Sequence, residues 1–370
     1  MLKIDGNVLS GKQFCQEQGV VYNLGSKLAI YAEGEFFKGH SKTGEGVIRY
    51  GQNPIVCVID STQAGKTVGQ VMGINSTIPI VSSLAEALKL QPDALLLGTA
   101  WTGGRLPDRY RKDIADAIVA GLDVINGLHD FLSDDKEFSA LASKHNVNLL
   151  DVRKAPDNLP VASGLAKDVN AFTVLTVGSD ISIGKMTVSL ELAKSFKEHG
   201  LSANFVATGQ TGIMIVGKGI AIDRVIGDFM AGATEQMVVE AAESADFVFV
   251  EGQGSLVHPG FSGVTLAILH GACPHALILC HKSTRLKRGQ TEFAVPSLSE
   301  LVKINEDMAA HLRPAKVVGI ALNTQGLTEA EAKKAIVEAE KETGLPANDA
   351  VRFGCENLLQ AIVTYKESQR

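Results

Sequence analysis

Phe172-Thr-Val-Leu-Thr-Val-Gly178-Ser-Asp-Ile-Ser-Ile-Gly184-Lys185-Met186-Thr187 decides the fold of the second half of this chain. Residues 172–177 are apolar and β-rich, the signature of a buried strand. From about Gly184 to His199 the pattern is helical, and Gly200 stops it. Strand, glycine loop, lysine and helix in that order make a phosphate cradle: backbone N–H groups of the loop and helix N-terminus face the anion, and the lysine adds charge. The common form is G-x-x-x-x-G-K-[ST]. Here five residues, not four, separate Gly178 from Gly184, and Met186 stands where a magnesium-binding hydroxyl normally follows the lysine. The spacing predicts binding of a phosphorylated compound and leaves cleavage of that phosphate open.

Working outward, a length of 370 residues predicts two domains. A hydrophobic content of 45% with 21% charged residues is that of an ordinary globular protein with a normal core. The net charge of −6 counts against broad nucleic-acid binding, which needs a basic footprint. Cys15, Cys57, Cys273, Cys280 and Cys355 are scattered without a C-x-x-C pair, which suits reduced thiols better than a disulfide framework or a zinc site. The start, Met1-Leu-Lys-Ile-Asp-Gly6, lacks the apolar core of a signal peptide, and no apolar run reaches the ~18 residues of a spanning helix. The expectation is a cytoplasmic protein with no resident metal and neither membrane nor nucleic acid as partner.

The first half alternates strand signals (27–31, 55–59, 94–98, 124–125, 147–150) with helices at 82–90, capped by Ser82 or Ser83, and 109–120, ended by Gly121. Repeated βα units imply a parallel sheet covered by helices. Residues 151–160 hold two prolines and little periodicity, so the domains are expected at 1–155 and 156–370. The second half restarts the alternation, with strands at 172–177, 203–208, 246–250, 276–280 and 317–321. Thr328-Glu-Ala-Glu331 is a capping box opening a helix that runs to Gly344, and an amphipathic helix covers about 355–365. The fold class is α/β: a Rossmann-like N-terminal parallel-sheet domain followed by a P-loop NTPase-like α/β domain. Ala64-Gly65-Lys66-Thr67 lacks the first glycine of a phosphate loop, since Asp60 holds that place, and reads as an ordinary loop entering a helix.

Strand ends supply the other candidates, because carboxyl ends of parallel strands face the ligand crevice. The strand 246–250 ends in Glu251-Gly252-Gln253-Gly254-Ser255. Glu251 could hold Mg²⁺, accept a proton, or simply fix the loop by accepting backbone N–H bonds. Thr208-Gly209-Gln210 follows the strand 203–208. Beyond it, Asp223 or Asp228 is a base, a metal ligand or a helix N-cap. His281-Lys282-Ser-Thr-Arg285 closes the strand 276–280; Lys282 and Arg285 are candidates for carboxylate or phosphate, whereas Lys287 and Arg288 read as a solvated basic turn. His258, beside Pro259, is a general base or a structural histidine. In the first half, the only tryptophan, Trp101, precedes Thr102-Gly-Gly-Arg105-Leu-Pro107, and Arg105 is a candidate for an anionic substrate.

These residues resemble the DUF1611 family over most of the chain: the 178–187 loop with its Lys-Met-Thr ending, Asp228-Phe229, Glu251-Gly-Gln-Gly254, Thr102–Pro107, Gly127-Leu-His-Asp130 and Asp151-Val-Arg153. The resemblance implies a Rossmann-like domain followed by a P-loop domain. It also implies an acyltransferase, since the family includes an enzyme that moves the acetyl group of acetyl-CoA to the amine of D-glutamate. The P-loop half also resembles the dethiobiotin synthetases, which activate carboxylates with ATP. It departs from them at Met186 and at Ala207-Thr208, where those enzymes carry a lysine that offsets charge on the transferred phosphoryl group.

On the leading reading, Gly178, Ser179, Asp180, Ser182, Ile183, Gly184, Lys185, Met186 and Thr187, with Gln210, bind the cosubstrate acetyl-CoA. Asp228, Glu251 and His258 are candidates for removing the ammonium proton of the acceptor, an acidic amino acid. Arg105, Gln253, Gly254, Ser255, Lys282 and Arg285 are the substrate-binding candidates. Direct attack calls for no metal. The alternatives are an ATP- and Mg²⁺-dependent ligase or kinase, with Thr187 and Glu251 helping to hold the metal, and a non-catalytic nucleotide sensor. A homo-oligomer is expected.

Overall fold

The structure, a computed structural model, describes residues 23–101 and 103–369. Cys15, the Met1–Gly6 start and Thr102 lie outside the described residues. The chain divides into two compact units, one running up to Ala155 and including Gly209–Ala221, the other made of Pro156–Thr208 and the chain from Ile222 onward. Among the described residues no helix is long and apolar enough to cross a membrane.

The first unit is a parallel sheet of β1 (Leu28–Tyr31), β2 (Ile55–Ile59), β3 (Ile80–Val81), β4 (Ala94–Leu97), β5 (Asp123–Asn126) and β6 (Leu149–Asp151), in the order β3-β2-β1-β4-β5-β6. This is the Rossmann order. β1 and β4 are buried at every position, which is why they read as unbroken apolar runs rather than alternating ones. The helix Asp108–Val119 turns Tyr110, Ile114, Ala117 and Ile118 into the core, a stripe of one helical face. Tyr110 meets Tyr31 edge-on with ring centroids 4.7 Å apart. Thr67 caps the helix Val68–Met72 in a reciprocal box with Gln70, so the Gly65-Lys66-Thr67 run is a helix entry, as its missing first glycine predicts.

Three sequence clusters meet beyond β4, β5 and β6. Asp151 accepts from Asn126 Nδ2 and from the Leu132 and Ser133 N–H groups, and Arg153 Nε donates to Gly127 O at 2.7 Å. Asp130 accepts from Arg105 Nη1 at 2.7 Å and from Leu106 N at 2.8 Å. Burial pushes the Asp130 carboxyl up, but those two donors outweigh it and hold the group below its ordinary value. The helix Gln210–Val216, late in the sequence, belongs to this unit: Thr211 Oγ1 lies 3.0 Å from Thr43 Oγ1 on the helix Lys42–Tyr50.

The second unit is a parallel sheet of β7 (Phe172–Gly178), β8 (Ala203–Val206), β9 (Phe247–Val250), β10 (Ala276–Lys282), β11 (Lys316–Asn323) and β12 (Ala347–Asn348), in the order β12-β11-β10-β7-β9-β8. β7 is central and buried along its whole length. Helices Lys185–Glu198 and Glu356–Ser368 share one core with the sheet, in which Phe196 packs against Phe247 and Phe249 at centroid distances of 4.7 and 4.8 Å. Strand order reverses between β7 and β10, and this switch point is where an open α/β sheet leaves a crevice for a ligand.

His275, just before β10, stacks on Phe172 and its Nδ1 accepts the Thr173 N–H at 3.0 Å. Burial, with help from Arg313 and Lys366, pushes its pKa down from 6.5 to about 4. The unfolded chain therefore takes up this proton first as pH falls. Stability from this site should be complete above pH 6.5 and decline as pH drops from 6.5 towards 4. His275→Asn keeps an acceptor in place and removes the titration. Urea unfolding on the two sides of this window should show a smaller pH difference for the variant than for the parent chain.

Candidate phosphate-binding site

The loop that leaves β7 is held from three sides. Ser179 N donates to Cys280 O at 3.0 Å, Ser179 Oγ lies 2.9 Å from His281 Nδ1, and Asn323 Nδ2 donates to Ile183 O at 3.2 Å. All of these partners stand at the carboxyl ends of β10 and β11. Ser182 takes a φ of 52° and Gly184 one of 110°, so the loop turns sharply into the helix Lys185–Glu198. Gly184 provides no side-chain cap, which leaves the first N–H groups of a 14-residue helix open to an anion.

Lys185, the first residue of that helix, is buried, and its Nζ donates to Asp180 O at 2.7 Å. The space around it exists because two neighbours lack side chains. A Cβ on Gly178 would lie 3.1 Å from Lys185 Nζ, and one on Gly252 would lie 3.3 Å from Lys185 Cδ and 1.7 Å from Thr176 O. Burial pushes the ammonium pKa down from 10.5 to about 8, although the Asp180 and Glu251 carboxylates pull it back up. Burial likewise pushes the adjoining Cys280 thiol up to about 12, so that sulfur stays protonated and inert. Thr176 Oγ1 accepts the Gly252 N–H at 3.0 Å and meets Ser189 Oγ at 2.9 Å, tying β7, the helix and the strand-end loop of β9 together.

The structure places the other sequence-derived candidates as follows. Glu251 is buried; its Oε2 accepts Thr208 N at 3.0 Å while Thr208 Oγ1 donates to Glu251 O at 2.8 Å. Gln253 Nε2 reaches Thr208 O at 2.5 Å, and Thr265 Oγ1 donates to Gln253 O. Gly254 has a φ of 62°, and Ser255 is buried with an Oγ that meets no partner among the described residues. His258 is buried with both ring nitrogens in use: Nδ1 accepts Gly260 N at 3.1 Å, and Nε2 therefore donates to Gly289 O at 2.8 Å. Asp180, fully buried, accepts Arg285 Nη1 at 2.8 Å and Gly289 N at 2.7 Å on the same oxygen. Lys282, half-buried at the end of β10, makes no ion pair among the described residues. Met186 and Thr187 are half-buried second and third residues of the helix.

Asp228 is exposed in the first turn of the helix Gly227–Ala242, whose N-cap is Ile226; neither it nor Asp223 caps that helix. Arg288, expected to be solvated, instead donates to Ala294 O and Val257 O and stands over Phe293, while Lys287 pairs with the exposed Glu292. Gln210 and Arg105 belong to the first unit: Gln210 lies against Gly127, and Arg105 is spread over the surface to Asp130. Three residues around the loop were not singled out in the sequence: His281, Asn323 and Gly289. The first two carry the same signal as Lys282, a polar side chain at the carboxyl end of a parallel strand. Gly289 carries none.

The architecture and loop define a two-unit α/β protein, Rossmann-like then P-loop NTPase-like. The chain belongs to the DUF1611 family: residues 160–359 match the P-loop domain of unknown function DUF1611_C, and residues 61–155 match the Rossmann-like domain DUF1611_N. It is 37% identical over 306 residues to a D-glutamate N-acetyltransferase of Pseudoalteromonas sp, covering 82% of this chain and 89% of that one. It is 39% identical over 282 residues to a D-glutamate N-acetyltransferase of Tritonibacter scottomollicae, covering 76% and 84%. A crystal structure of a DUF1611 family protein from Anabaena variabilis superposes with a TM-score of 0.87 at 42% identity, covering 92% of this chain and 99% of that one.

Two measurements test the cradle. Only charged Lys185 attracts an anion, so affinity for a phosphate ligand should fall as pH rises through about 8. Lys185→Arg, whose charge persists, should flatten that dependence in a calorimetric titration. Gly252→Ala forces a methyl group onto the Thr176 carbonyl oxygen. It should cost about 1–3 kcal/mol of stability, read from denaturant unfolding, and weaken anion binding through displacement of Lys185.

Proposed function

We propose that this protein transfers the acetyl group of acetyl-CoA to the amine of D-glutamate, with its phosphate loop holding a phosphate group of the coenzyme. One observation carries the reading: 37% and 39% identity, across 82% and 76% of the chain, to two D-glutamate N-acetyltransferases. The loop chemistry is compatible with it. Coenzyme A presents a diphosphate and a 3′-phosphate, and open N–H groups with a buried ammonium suit either.

In the proposed step the free amine of D-glutamate attacks the thioester carbonyl carbon. The C–S bond breaks, the acetyl group ends on nitrogen, and the sulfur leaves as the CoA thiolate. The amine's surplus proton goes to a base and the thiolate takes up a proton on release. Asp228 is assigned as the base. Its carboxylate is exposed with no hydrogen bond or ion pair among the described residues, whereas both His258 nitrogens are in use and Glu251 is tied to Thr208. Lys282, without an ion pair among the described residues, is assigned to an acceptor carboxylate. Backbone N–H groups of the 252–255 loop are the candidates for the oxyanion of the tetrahedral intermediate.

Free-thiol release from acetyl-CoA tests the reading. Release should depend on D-glutamate and be absent without acceptor; L-glutamate supporting it equally would remove the stereochemical part. No release with either would overturn the proposal. Asp228→Asn should lower kcat by about 10²–10⁴-fold, the usual worth of a general base, with little change in KM for acetyl-CoA.

A further inference from the structure

P-loop proteins that process nucleotides hold Mg²⁺ with the hydroxyl after the loop lysine and an acid at a neighbouring strand end. The residues present here do not fit that ion. Met186 occupies the hydroxyl position, and a thioether is a poor ligand for a hard cation. Thr187 is one residue further, turned about 100° around the helix axis. The strand-end acid, Glu251, is buried and already accepts the Thr208 N–H. Among the described residues no group of three or more His, Cys, Asp or Glu side chains is arranged to hold a metal.

A different cation stands beside the loop. Arg285 Nη1 is 2.8 Å from Asp180 Oδ2, and Asp180 is the second residue of the phosphate loop. The arginine side chain is 25% exposed and the aspartate side chain is fully buried, so the guanidinium is anchored at one end and open at the other. Its Nε and Nη2 make no hydrogen bond among the described residues. The anchor is itself built in: Gly289 N donates to the same Asp180 oxygen, Gly289 O accepts from His258 Nε2, and a Cβ on Gly289 would sit 2.9 Å from Arg285 Nη1. Glycine at 289 thus lets the 285–289 turn close against the loop.

We infer that the phosphate loop binds its anion without a divalent cation, and that Arg285, positioned by Asp180, supplies the second positive charge beside Lys185. The inference rests on the loop's being the phosphate cradle proposed above. Two monovalent cations with fork and point geometry match a phosphate monoester or a diphosphate diester, the groups of coenzyme A. They match poorly the higher charge of a triphosphate. Asp180 and His258 are positioning residues here, and Arg285 is the binding residue.

The test is a calorimetric titration of the full chain with CoA and with ATP, each in excess EDTA and in excess MgCl₂. CoA should bind with the same affinity in both, and more tightly than ATP. Arg285→Gln, which keeps a donor for Asp180, should weaken CoA binding about ten- to hundredfold, the worth of a charge-assisted hydrogen bond. A melting curve confirms that the variant is folded; should it not fold, Arg285→Lys takes its place, with a smaller loss in the same direction. Met186→Thr restores a metal-ligand hydroxyl and should introduce a Mg²⁺ dependence the parent lacks. Tenfold tightening of CoA by Mg²⁺ in the parent chain, or unchanged affinity in a folded Arg285→Gln protein, would overturn this inference alone. No CoA binding under any condition would overturn the cradle reading and this inference with it.

Discussion

The second unit is organised around one constraint, the burial of the Lys185 ammonium. A charge taken out of water must be met by fixed dipoles and kept from steric conflict. The Asp180 carbonyl supplies a dipole at 2.7 Å, and Gly178 and Gly252 supply the room. The lysine opens a helix whose N–H groups have no side-chain cap, so the positive ends of several dipoles and one ammonium converge on the same small volume. These converging donors are the feature on which the proposed phosphate reading rests. Everything else near the loop serves to keep that arrangement from collapsing.

Collapse is prevented by contacts drawn from four strands. β10 holds the loop through Cys280 O and His281, β11 through Asn323, and β9 through the Gly252 N–H that binds Thr176 on β7. The adjoining 208 and 251–253 segments are knitted to each other by both side-chain and backbone bonds. His258, with both nitrogens committed, is better suited to holding the 289 turn than to moving protons. The roles proposed for Asp228 and Lys282 rest on their lack of such commitments among the described residues. The first unit uses similar means for a different end: Asp151, Arg153 and Asp130 fasten the loops beyond β4, β5 and β6.

Much of this is legible in the sequence. Strands buried on both faces announce themselves as short apolar runs, as β1, β2, β4, β7, β9 and β10 do. Elements without such a signature are not legible. The helix Ser262–Ala272 is mostly apolar, with only Ser262, Thr265 and His270 polar, so it lacks the continuous polar face that marks an amphipathic helix. β3 and β12 have two residues each and take their structure from a neighbouring strand. The 178–187 loop was legible because its chemistry needs glycines and a lysine at nearly fixed spacing. The Asp180–Arg285–Gly289–His258 chain was not, because its members lie up to 109 positions apart and no local pattern links them.

The sequence by itself determined the α/β class, the position of the phosphate loop and the departure at Met186, since these depend on residue type and short-range periodicity. Tertiary structure decided which charged side chains remain available. The sequence offers Arg285 as an anion ligand and His258 as a base or a structural histidine; folding gave one an anchored guanidinium with open donors and the other a fully occupied imidazole. It also grouped Gly209–Ala221 with the first unit. Hydrogen-bond partners and desolvation are properties of the packed chain, so the sequence lists the groups that could act and the fold sets which of them can.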